Sequence, residues 1–200
     1  MPASPTLDSS ELFHLALESA RRDDHGAAIT YLKRAVELPD GAAASAFDYA
    51  RMLYLLGAEY AQIGLMDRAR EHMQGAIEMA PALHTARFQL GLLLITQALP
   101  DQALEVLAPF KSLGDQHMFF HLRAGLEHLV RDEFDLCKVS LVKGMQLNEA
   151  SPEFNSALNG DIQKLLNALP QAGGGNDGEP EPAVEAGFAM SAYNRGGNTH

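Results

Sequence analysis

Residues 50–83 read ARMLYLLGAEYAQIGLMDRAREHMQGAIEMAPAL, and this stretch decides the fold. Its apolar residues recur at helical spacing on both sides of Gly64, which predicts two helices joined by a turn. The unit then repeats: Gly57, Gly91 and Gly125 are separated by 34 residues each time. Around them Leu53, Leu56, Gly57 and Tyr60 align with Arg87, Leu90, Gly91 and Leu94, then with His121, Ala124, Gly125 and His128. Farther on, Ala69, Met73 and Ala76 align with Ala103, Leu107 and Phe110, then with Cys137, Leu141 and Gly144.

A fourth unit precedes these, with Leu12, Leu15, Ala16 and Ser19 followed by Ala28, Leu32 and Ala35. Its register is offset by the seven residues 43–49, read as about two extra turns at the start of the following helix. Small residues at the eighth, twentieth and twenty-seventh places let helix backbones approach where they cross, and bulky apolar residues fill the remaining space. Turns are expected at Asp23 and Asp24, Gly64, Pro100 and Asp132. Pro109 sits late in a second helix and removes a backbone hydrogen bond, so a kink or an early end is expected there.

The columns resemble the tetratricopeptide repeat, whose signature is W-x2-L-G-x2-Y followed by A-x3-F, an alanine and a proline. Leu53 and Met73 replace the leading aromatic and the later Phe. The resemblance implies an all-α, right-handed α-solenoid of four hairpins (9–42, 50–83, 84–117 and 118–151, with the insertion at 43–49). A short N-terminal stretch, 1–8, precedes them and is expected to be flexible. Ser151 as N-cap and Pro152 at the first helical position open an expected capping helix over 152–169, with Asn155, Asn159, Asp161, Gln163 and Lys164 on its outer side. Residues 170–200, rich in Gly, Pro and acids, are expected to be a disordered tail.

The resemblance further implies a concave face lined by the first helix of each hairpin. Carried over position by position, that face holds Phe13 and Leu17, then Arg51, Tyr54 and Leu55, then Phe88, Gln89 and Leu92, then Phe119, Leu122 and Arg123. Two readings of this apolar strip stand: an open groove for a partner polypeptide, or residues buried by neighbouring helices or by the tail. On the first, affinity resides in Tyr54, Phe88, Phe119 and Leu122, while Arg51 and Arg123 orient acidic groups of the partner. The ninth place carries Leu17, Ala58, Leu92 and Leu126, which departs from the family's carboxylate-clamping co-chaperones, where asparagine stands.

Function classes narrow accordingly. A net charge of -11 over 200 residues has the wrong sign for neutralising phosphates, so nucleic acid and anionic bilayers are disfavoured as partners. The opening residues carry no basic segment followed by an apolar one, no run is long enough for a membrane span, and the single cysteine fits a reducing, cytoplasmic setting. His117, His121 and His128 are expected as aromatic-like packing residues, not as a zinc or general-base site, and Cys137 as a small buried hydrophobe. No phosphate loop or hydrolase motif occurs, so neither catalysis, cofactor nor metal is expected. The expectation is a non-enzymatic adaptor or scaffold for a protein or peptide partner, with a bacterial secretion-type chaperone as the alternative and homo-oligomerisation open. Phe188, Met190 and Tyr193 form a late apolar island in the tail, a candidate for docking back onto the groove.

Overall fold

The computed structural model describes residues 7–38 and 45–170. Residues 1–6, residues 39–44 at the end of the first hairpin and the start of the insertion, and the tail from residue 171, with its apolar island, lie outside the described residues. Among those described are nine α-helices: α1 Ser9–Arg21, α2 His25–Glu37, α3 Ala46–Gln62, α4 Met66–Met79, α5 His84–Thr96, α6 Pro100–Leu107, α7 Met118–Val130, α8 Phe134–Glu149 and α9 Ser156–Ala168. A 3-10 segment, Ala108–Leu113, continues α6. The fold is all-α and built of successive helix hairpins, as the repeat columns predict. The chain divides between Arg87 and Phe88 into two compact units.

In the first unit α1 packs on α2, α3 on α4, and α2 on α3. Polar side chains start the helices. Asp8 and Glu11 form a reciprocal capping box on α1, and Asp24 accepts from the Ala27 amide at 3.0 Å. Ser45 caps α3, which begins at Ala46, so the described part of the insertion adds about one turn to the helix, not two. In the second unit α7 packs on α8 and α8 on α9. Helix α6 stops at Leu107, two residues before Pro109, where the backbone tightens into the 3-10 segment.

Four hairpin corners share one geometry. Two residues past the first helix the backbone turns left-handed, at Asp23, Gly64, Ala98 and Asp132, with φ of 58°, 78°, 56° and 57°. The next amide then bonds five residues back: Asp24 to Ser19 O, Leu65 to Tyr60 O, Leu99 to Leu94 O and Glu133 to His128 O, at 2.9–3.0 Å. In the third corner the left-handed residue is Ala98, and Pro100 serves as the first residue of α6.

The core follows the columns. Ala28, Ala69, Ala103 and Cys137 are fully buried at the twentieth place, and Leu32, Met73, Leu107 and Leu141 are buried at the twenty-fourth. Close packing forces the glycines. A Cβ on Gly57 would lie 2.9 Å from Met73 Cγ, one on Gly91 2.7 Å from Leu107 Cγ, and one on Gly125 2.6 Å from Leu141 Cδ2. One contact is thus made three times, at intervals of 34 residues.

The last helix starts later than expected. Ser151 and Pro152 lie outside any helix, and Asn155 is the N-cap, accepting from the Leu158 amide at 3.0 Å. The cause lies in Asn148 at the end of α8. Its Nδ2 donates to Asn155 O and to Asn159 Oδ1, both at 2.8 Å, and its Oδ1 accepts from the Asn155 amide at 3.2 Å. That hub fixes the entry to α9 at Asn155 and draws Asn159 inward. Asn159 is buried, and Asp161 half-buried, in contrast to the solvent-facing side predicted for both.

Candidate functional site

The inner-face residues of the two units stand in different surroundings. In the second unit Phe88, Gln89, Leu92, Phe119 and Leu122 are all buried. The apolar ones belong to a core cluster that includes Leu158 and Ile162, Leu165 and Leu169 at and just beyond α9. The Phe119 ring stacks on Phe110 with centroids 5.0 Å apart and lies tilted to Phe88 at 6.3 Å. These five residues therefore do not form an open strip. The apolar face of α9 needs burial as much as they do, and the two satisfy each other.

A polar link fixes this arrangement. Gln89 Nε2 donates to Asp161 Oδ2 at 2.7 Å, and Lys164 Nζ reaches Asp161 Oδ1 at 3.3 Å. Burial pushes the Asp161 carboxyl above its ordinary range, against the opposing pull of Lys164 and the Gln89 bond. Arg123, expected to orient a partner's acids, is half-buried and paired with Glu127 Oε2 at 2.7 Å, while Arg131 holds the other oxygen at 2.7 Å.

In the first unit the predicted residues stay accessible. Phe13 and Leu17 on α1 and Tyr54 and Leu55 on α3 are half-buried, and Arg51 is exposed. The structure brings two of them together: the Arg51 guanidinium lies 5.6 Å from the Phe13 ring centroid, and it approaches Asp48 at 3.7 Å. Such an exposed cation–π contact contributes about 0.5–1 kcal/mol, enough to hold the guanidinium against the apolar face while leaving it in water.

The histidines combine ring packing with polar bonds: the His117 ring lies 5.8 Å from that of Phe119 and the His121 ring 5.3 Å from that of Phe120. His117 is the N-cap of α7, accepting from the Phe119 amide at 3.3 Å. His121 donates from Nε2 to Asp115 O at 2.7 Å, and His128 from Nδ1 to Glu133 Oε2 at 2.5 Å. Cys137 is fully buried and burial pushes its thiol up to about 11, so it stays protonated and inert. No group of three His, Cys, Asp or Glu side chains among the described residues is arranged to hold a metal ion.

Sequence reading missed one part-buried pair. His25 Nδ1 donates to Glu59 Oε2 at 2.8 Å, joining α2 to α3. Burial raises the Glu59 carboxyl, and the His25 bond opposes that rise. The residues are 34 apart, but no shared column or motif singles them out.

With this geometry in place, comparison with known proteins adds one finding. Residues 50–83 match the family model for the tetratricopeptide repeat. The chain carries a tetratricopeptide repeat. No curated protein matches the chain. The matched segment takes in most of α3, all of α4 and the turn that follows, and contains Tyr54 and Leu55 of the accessible inner face. Tetratricopeptide repeats mediate protein–protein interaction and are typically non-enzymatic. No helix of the described residues is long and apolar enough to cross a membrane.

Proposed function

We propose that the protein is a non-enzymatic adaptor that holds a partner polypeptide on the inner face of its first unit. Phe13, Leu17, Tyr54 and Leu55 supply apolar contact, and Arg51 orients an acidic group of the partner. The carrying observation is the contrast in burial: the corresponding residues of the second unit are sealed with α9, and those of the first are not. An adaptor reading stands ahead of a secretion-type chaperone, because an extended hydrophobic client needs a long open strip and five of the expected apolar and polar lining residues are interior. A cytoplasmic setting accords with the single, buried cysteine.

The test compares chains captured from native lysate by the parent and by a Phe13→Ala/Leu55→Ala variant. A Lys33→Ala variant, altered at an exposed place on α2, is the control. The reading expects at least one captured chain to be lost with the double variant and kept with the control. Retention of every captured chain by the double variant would refute it.

A further inference from the structure

The outward face of α8 carries Leu136, Val139 and Val142, exposed by 52, 69 and 41%. At three-residue intervals they form one stripe about 9 Å long along the helix. The corresponding places of the two preceding hairpins hold Arg68, Glu71 and Gln74, then Gln102, Glu105 and, just past the end of α6, Ala108. Among these three helices only α8 carries large aliphatic side chains at these places, and such a stripe is suited to an apolar occupant.

Two observations name that occupant. Helix α9 returns the chain to α8, where Lys138 Nζ donates to Pro170 O at 3.0 Å, so the remaining 30 residues leave from a point one residue from Val139. Their sequence places Asp177, Glu179, Glu181 and Glu185 before Phe188, Met190 and Tyr193, while α8 presents Lys138 and Lys143 beside the stripe. The two segments are complementary in kind, acids for the lysines that flank Val139 and Val142 and an apolar island for the apolar stripe. Polymer statistics give 17 residues a reach of roughly 20–25 Å, ample for a target within about 10 Å of Pro170.

We infer that residues 188–193 dock on the α8 stripe of their own chain, with the acidic stretch steered by Lys138 and Lys143. This replaces the groove as the target of the tail, and it stands or falls independently of the partner site in the first unit.

The test is cysteine trapping in the full chain. In a Cys137→Ala background, which restores the alanine of that column, Gln146→Cys at the end of the stripe is combined with Ala192→Cys. Oxidised glutathione accepts the two thiol electrons, and the disulfide is measured by mass. The control pair is Glu105→Cys with Ala192→Cys. The inference expects the first pair to close within one chain at least ten-fold faster than the control, and Val139→Lys to abolish the difference. Equal rates, a preference that survives Val139→Lys, or disulfides formed only between two chains would each overturn it. Circular dichroism of every variant confirms that the helices are retained.

Discussion

Gln89 and Asp161 are 72 residues apart and joined by a 2.7 Å hydrogen bond that ties α5 to α9. Gln89 is 2% exposed, so the bond is made away from water, where a lost partner costs most. Gln89→Ala should lower stability by about 2 kcal/mol, the scale of a hydrogen bond to a charged group. It should also raise the Asp161 carboxyl further, since the Gln89 bond is one of the forces holding it down. Urea unfolding and carboxyl NMR titration check the two effects separately; an unmoved titration would mean that the bond is not formed in solution.

The same carboxyl sets a pH dependence. Its folded value lies above the ordinary 3.8, so the folded chain holds the proton more tightly than the unfolded one. Its contribution to stability is then fully present below the ordinary value and is lost as pH rises through the folded value. Asp161→Asn, neutral throughout, should match or exceed the parent in stability at pH 7 and lose that advantage below pH 3.8. A variant weakened more at pH 7 than at low pH would contradict this.

Gly125 and Gly160 should respond oppositely to alanine. A Cβ at Gly125 meets Leu141 Cδ2 at 2.6 Å, whereas nothing lies within 4 Å of one at Gly160. Gly125→Ala should therefore cost about 1–3 kcal/mol through overpacking. Gly160→Ala, within α9, should gain about 0.5–1 kcal/mol from helix propensity. Thermal unfolding of the two variants side by side measures the difference.

Ala98 holds a left-handed φ of 56°, a conformation that costs a side-chain-bearing residue about 1–2 kcal/mol. Gly64 occupies the same place in the preceding hairpin. Ala98→Gly should raise stability by up to about 1 kcal/mol, after allowing for the added freedom of glycine in the unfolded chain. Ala98→Val, at the same exposed place, should lower it, and chemical denaturation of the pair reads both signs.

Phe119→Ala should cost about 3–5 kcal/mol, the range for a buried aromatic, because its ring packs on Phe110 and Phe88 inside the core. Tyr54→Ala, at a half-buried place, should cost much less. Near-equal losses in calorimetry would mean that the two inner faces are alike.

The residue columns made the hairpins legible because packing enforces them: a glycine against Met73 or Leu107, an alanine where helices cross. The early end of α6 was legible too, since Pro109 lacks the amide that the helix needs. What covers the inner face was not. Sequence shows that Leu158, Ile162 and Leu165 share one side of a helix, but an apolar side fits any apolar surface, and the choice is made by Asn148, Gln89 and Asp161 acting together. Each of those is an ordinary polar residue in a helical stretch. The start of α9 escaped for a related reason: Ser151-Pro152 is a sound local start signal, overridden by the Asn148 side chain bonding across to Asn155.

The four corners, each closed by a bond only five residues long, have a consequence for biogenesis. Every elbow can lock as soon as its own two helices have left the ribosome, without waiting for distant parts of the chain. The exception is α9, whose partners Phe88 and Gln89 emerge some seventy residues earlier. Until synthesis reaches it, Phe88 and the apolar residues clustered with it lack the cover of α9, and at that stage of translation the nascent chain is more exposed to holdase chaperones and to aggregation.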